Sequence, residues 1–158
     1  MLPTNPRRRL KLVALCVVVG LVSFGFWPAS SASLLKQART AESNGKFDRA
    51  LDLASRAIER DPLSIEGILF AGSIANKLGN ELQELKYYRL LPESANGPRI
   101  AKRLKEAGQL ALKCGRASDA EFFYQRALAL SPEDQVIHRR LGTLFRGEAR
   151  RWESAPHL

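Results

Sequence analysis

Apolar positions along this chain recur at helical spacing and are interrupted at a nearly constant interval. Leu104, Ala107, Gly108, Ala111 and Leu112 share one helical face. Gly115 breaks that pattern, and Ala120, Phe123, Tyr124, Ala127 and Leu128 resume it until Pro132. The same order occurs upstream: Leu35, Ala38 and Ala41, then Gly45 and Phe47, then Ala50, Leu53, Ala57 and Ile58, closed by Pro62. A weaker copy between them runs through Ile68, Ala71, Gly72 and Ala75, then Gly79, then Leu85, Tyr88 and Leu91. Steps of three and four residues place each set on one face of an amphipathic helix. The pattern predicts helices over 34–44, 48–60, 64–77, 81–91, 99–113 and 117–130. A last helix over 134–149 carries Ile137, Leu141, Leu144, Phe145 and Ala149 on one stripe. No alternation of period two occurs, so the fold class is all-α.

A two-helix hairpin of this length cannot bury its apolar face alone, so an array of hairpins is expected. Gly45 and Gly79 are 34 residues apart and Gly79 and Gly115 are 36 apart. The loop Pro92–Pro98 can absorb the difference. Small residues at a crossing let two helices approach closely, glycine at the turn can adopt positive φ, and proline ends each unit. Asp48 and Ser118 stand where caps for the second helices are expected.

These residues resemble the tetratricopeptide repeat family, whose period is about 34 residues. The family's small pair late in the first helix corresponds to Ala107-Gly108 and Ala71-Gly72, with Gln37-Ala38 departing. Its turn glycine is Gly45, Gly79 and Gly115. Its alanine at the closest crossing is Ala50 and Ala120, with Glu84 departing. Its later aromatic is Tyr88 and Tyr124, with Ala54 departing. Its second alanine is Ala57 and Ala127, with Leu91 departing, and its closing proline is Pro62 and Pro132. The resemblance covers 31 to about 132 well and 135–149 partly. It implies a helical-hairpin solenoid of about three units, in which the final helix caps the array or begins a fourth unit. Fold of this kind implies a scaffold and leaves the partner open.

Charge changes this picture locally. The net charge is +9, but residues 34–98 hold nine basic and nine acidic side chains, which cancel. The excess lies at 1–33 and at 99–132, each at +4, with +1 over 133–158. Such a distribution argues against a nucleic-acid partner, which would call for one continuous basic surface. Arg7, Arg8, Arg9 and Lys11 precede sixteen uncharged residues, Leu12–Trp27. As a helix that run is about 24 Å long, and with its flanks it approaches a hydrocarbon core of roughly 30 Å. The basic flank and the aromatic end at Phe24, Phe26 and Trp27 suit a single-pass signal anchor. Its N-terminus would lie in the cytoplasm and the repeat domain in the periplasm or outside the cell. The small residues Ala29–Ser33 also suit signal-peptide cleavage, so an exported soluble protein is the alternative. The expected divisions are a basic N-terminus at 1–11, the transmembrane segment at 12–28 and a linker at 29–33. The repeat domain follows at 34–150, with a frayed tail at 151–158.

Catalytic chemistry has no foothold in the sequence. Cys16 falls in the apolar run and Cys114 stands alone, so neither a disulfide nor a thiolate metal pair is expected. His138 and His157 have no metal-binding spacing, and no nucleotide-binding or nucleophile-elbow motif occurs. No enzyme activity, cofactor or metal is therefore expected. The resemblance implies instead that the first helix of each repeat lines a concave binding face. Mapped residue by residue, that face carries Arg39 and Glu42, then Glu66, Ser73, Asn76 and Lys77, then Lys102, Lys105, Gln109 and Lys113. Chaperone-binding members clamp a peptide carboxylate with a Lys, Asn, Asn, Lys, Arg set. Here those positions hold Leu35, Arg39, Phe70, Lys102 and Glu106, so only Lys102 matches. The expected partner is a protein or peptide, with acidic segments favoured by the lysines of the third repeat. A second copy of the chain, and a membrane assembly joined through the anchor helix, are the other partners considered.

Overall fold

A computed structural model describes residues 30–154. The segment expected to cross the membrane, 12–28, lies outside the described residues, as does the end of the tail. Among the described residues no helix is long and apolar enough to cross a membrane. They form seven helices and no strand: α1 (Ser31–Ser43), α2 (Phe47–Arg60), α3 (Ile65–Lys77), α4 (Glu81–Arg89), α5 (Pro98–Lys113), α6 (Ala117–Leu130) and α7 (Gln135–Ser154). Each packs against its neighbours in the chain, giving three hairpins followed by one helix.

The turn chemistry explains the regular spacing. Gly45, Gly79 and Gly115 have φ of 71°, 69° and 72°. At each, the next residue's N–H reaches back to a helix carbonyl: Lys46 to Ala41 at 2.9 Å, Asn80 to Ala75 at 3.0 Å and Arg116 to Ala111 at 2.8 Å. This is the left-handed helix ending that glycine favours. It also corrects the expected caps. Lys46 and Arg116 occupy the N-cap positions of α2 and α6 without a side-chain cap bond. Asp48 and Ser118 lie one residue inside their helices, because the turn has already used the capping position. Asp48 still places its charge in the first turn, where the positive helix end favours it. Asn80 does cap α4, accepting from the Gln83 N–H at 3.1 Å.

The core lies along the hairpin crossings. Ala50 and Ala120 are fully buried, as are Ala57 and Ala127. The Tyr88 ring lies over Gly72 and the Tyr124 ring over Gly108; a Cβ at these glycines would fall 2.5 Å and 2.7 Å from the rings. Neither tyrosine hydroxyl has a hydrogen-bond partner. Burial pushes the Tyr88 phenol up to about 12 and raises that of Tyr124.

Three boundaries differ from expectation by more than one residue. The first helix begins at Ser31, inside the expected linker, since serine and alanine continue a helix readily. The fourth ends at Arg89 rather than near 91, where Pro92 stops further helix. The seventh runs to Ser154, four residues into the expected tail. Its Ile137 and Leu141 are buried, so this helix covers the end of the last hairpin.

Candidate functional site

The first helix of each hairpin, α1, α3 and α5, contributes to one face, and two adjoining clefts lie on it. The first, of about 540 Å³, has Leu69 and Phe70 of α3 and Ile100 of α5 as apolar lining. Arg39, Ser73, Arg99 and Arg103 supply its polar groups. Arg39 is tied to Glu66, also in the lining, by an ion pair between exposed side chains. Arg99 is exposed and has no ion pair among the described residues. The second cleft, of about 350 Å³, lies among α3, α4 and α5 and is lined by Asn76, Glu84, Arg103, Glu106, Gln109, Leu110 and Lys113.

The predicted groove residues divide between these places. Arg39 and Ser73 line the first cleft, and Asn76, Gln109 and Lys113 the second. Glu42 and Lys77 pair across α1 and α3 at 2.7 Å, outside both clefts. Lys102 is exposed and lies outside both clefts, without an ion pair among the described residues. The lysines of the third repeat are not three free cations. Lys105 pairs with Asp134 at 2.7 Å and Lys113 with Glu81 at 2.6 Å. The hydrogen bond from Lys113 holds the Glu81 carboxyl below its ordinary value, and Glu81 raises Lys113 in turn. The Lys105 hydrogen bond lowers Asp134 in the same way. The Cys114 thiol also donates to Glu81, at 3.4 Å, and burial pushes its pKa up.

Arg99, Arg103 and Glu84 were missing from the predicted set. The arginines line the cleft between α3 and α5, whereas Lys102 and Lys105 lie outside both clefts. Glu84 carried a visible signal, because it replaces the alanine of the helix crossing. It is only 6% exposed, and Asn76 Nδ2 donates to its Oε2 at 2.9 Å. Burial pushes its carboxyl above the ordinary value, more than the Asn76 bond lowers it. Among the described residues no group of three or more His, Cys, Asp and Glu is placed to hold a metal ion. His138 instead bonds the Pro132 carbonyl at 2.7 Å.

No family model matches this chain, and no curated protein matches it. Solved structures do. MamA AMB-1 superimposes with a TM-score of 0.57 at 19% identity, over 81% of this chain and 69% of that one. The N-terminal domain of stress-induced protein-1 (STI-1) from C. elegans gives 0.55 at 17%, over 72% and 93%. The first TPR of Spaghetti (RPAP3), bound to an HSP90 peptide, gives 0.52 at 18%, over 76% and 94%. Likeness at such identities is one of fold, and the fold of the described residues is the tetratricopeptide-repeat solenoid.

Proposed function

We propose that the chain is a binding scaffold, not an enzyme, and that it holds a segment of a partner protein on the face formed by α1, α3 and α5. The carrying observation is the 540 Å³ cleft, where half-buried Leu69 and Phe70 lie beside Arg39, Arg99 and Arg103. Apolar anchors with a few oriented polar groups are what a preformed site offers a peptide. Arg39, Glu42, Ser73, Asn76, Lys77, Lys102, Lys105, Gln109 and Lys113 flank or line this face. Acidic side chains of the partner would meet Arg99 and Lys102, the cations there with no ion pair among the described residues. The neighbour RPAP3 is described with the HSP90 peptide SRMEEVD, itself rich in carboxylates, which supports an acidic segment. Exposed pairs contribute only about 0.2–1 kcal/mol each, so the apolar contacts must carry most of the affinity.

Residues 12–28 would anchor this scaffold to the membrane, with the repeats outside the cytoplasm. The small residues at 29–33 support the alternative of cleavage and release. Carbonate extraction with N-terminal sequencing separates the two: a chain retained in membranes with its own N-terminus supports the anchor. The binding test is co-purification from membranes before and after Phe70→Asp. Loss of captured partners with unchanged melting supports the groove. Capture that survives the change, with the same salt dependence, refutes it.

A further inference from the structure

Two carboxylates are buried among the described residues, and they are treated differently. Asp119, 5% exposed, has a cation on each oxygen, Arg89 on Oδ1 and Arg116 on Oδ2. Glu84, 6% exposed, has none. Its Oε2 accepts from the neutral Asn76 amide. Its Oε1 makes no hydrogen bond among the described residues, and Glu84 lines the cleft among α3, α4 and α5. Buried carboxylates are almost always paired, since removing an ion from water is costly without a partner.

Among the described residues no group around Glu84 forms an ion pair with it. On α5, Arg103 donates to Glu106 at 2.9 Å and Lys113 to Glu81 at 2.6 Å. On α4, Glu81 and the buried Tyr88 stand nearby; Arg103 favours the charge on Glu84 from a distance without bonding it, and Glu106 and Glu81 disfavour it. On α3 there is only Asn76. Each cation lining the cleft is thus already matched to another carboxylate. Nor does the fold require a carboxylate here. At the equivalent crossings of the first and third hairpins a methyl suffices, in Ala50 and Ala120. A residue that breaks a local rule at cost to stability, with no return in packing, marks a functional position.

We infer that Glu84 is the acceptor for a lysine or arginine side chain of the partner segment, and so a specificity-determining residue of the concave face. This rests on the groove reading above. The partner segment would thus be mixed in charge, acidic residues meeting Arg99 and Lys102 and one basic residue entering the cleft. The entering cation would stabilise the ionised carboxyl, so docking releases a proton wherever Glu84 is protonated beforehand. Its affinity should therefore fall on acidification, starting above the ordinary carboxylate range.

The probe is a displayed library of random linear peptides, selected on the full chain in detergent at near-neutral pH. Selected peptides are expected to share a Lys or Arg at one position. Replacing it with Gln should weaken binding to the wild type about tenfold, the effect of one pKa unit of interaction. The same replacement should cost nothing against Glu84→Gln, which closes a double-mutant cycle. Binding to Glu84→Gln and Glu84→Ala should also be flat across the acid range in which the wild type weakens. Glu84→Ala copies Ala50 and Ala120, and its melting curve shows that the fold is intact. Peptides without a shared basic position, or with one whose contribution persists in Glu84→Gln, overturn the inference and leave the groove standing. Failure of the wild type and both variants to select any peptide overturns the groove and the inference together.

Discussion

The smallest determinants of this fold are the contacts in which glycine faces tyrosine. At Gly108 a Cβ would lie 2.7–3.0 Å from the Tyr124 ring, which is fully buried and has no free end to swing away. Gly108→Ala should therefore cost about 1–3 kcal/mol, read from denaturant unfolding. Tyr88→Phe should act the other way. Its hydroxyl is buried without a partner, so removing it relieves a desolvated polar group and should leave the melting temperature unchanged or higher. Glu84 adds a pH signature. Its folded-state pKa is raised, so the folded chain holds its proton longer than the unfolded chain does. Its penalty is absent below the unfolded value of 4.5 and accrues as pH rises through the folded value. Glu84→Gln should gain stability over the wild type across that rise, measured by unfolding at several pH values. The glycines, tyrosines and the odd carboxylate were all legible in the sequence. That Glu84 has no ion pair among the described residues was not, because the cations near it come from α5 and pair with Glu106 and Glu81 instead.

At the scale of helices, glycine and proline gave the boundaries to within a few residues, since both act through local backbone geometry. Pairing between helices had no such local signature. Arg126 donates to the Leu91 and Pro92 carbonyls at 2.9 Å and 2.8 Å, fixing the loop that absorbs the irregular period. Arg126→Ala should cost about 1.5–3 kcal/mol, the range for hydrogen bonds to a charged group, and speed amide exchange over 91–97. Lys105 looked like part of a binding face by helical position, but Asp134 at the start of α7 takes it. The Asp134 carboxyl is held below its ordinary value, so its contribution to stability is present above the unfolded value of 3.8. It is lost as pH falls through the folded value. Asp134→Asn should flatten that part of the acid unfolding curve.

For the whole array, the seventh helix decides how the solenoid ends. Ile137 is 1% exposed and Leu141 7%. Burying a large aliphatic side chain contributes about 1.5–3 kcal/mol, so truncation after Ser131 should lower the melting temperature markedly and expose apolar surface to dye binding. The number and order of helices followed from periodicity alone. The position of the clefts did not, because it depends on how far each hairpin rotates on the previous one.

Several bonds between hairpins join residues 27 to 35 positions apart: Arg39 with Glu66, Glu42 with Lys77, and the Ser55 hydroxyl with that of Tyr87 at 2.7 Å. Genes for repeat proteins lengthen and shorten by whole units, and such bonds determine which edits survive. Excising 64–99, a stretch as long as the interval by which Gly79 precedes Gly115, would remove Gly79 with its repeat, keep Gly45 and Gly115, and join Leu63 to Ile100 with the later residues in register. It would also put Lys102 in the place of Glu66, opposite Arg39, and Phe123 in the place of Tyr87, opposite Ser55. Only the Glu42 pair would survive, with Lys113 standing for Lys77. The shortened chain should melt lower than loss of one unit alone explains, and added salt should recover part of the deficit by screening the new like-charge pair. The three hairpins share one shape but are not interchangeable.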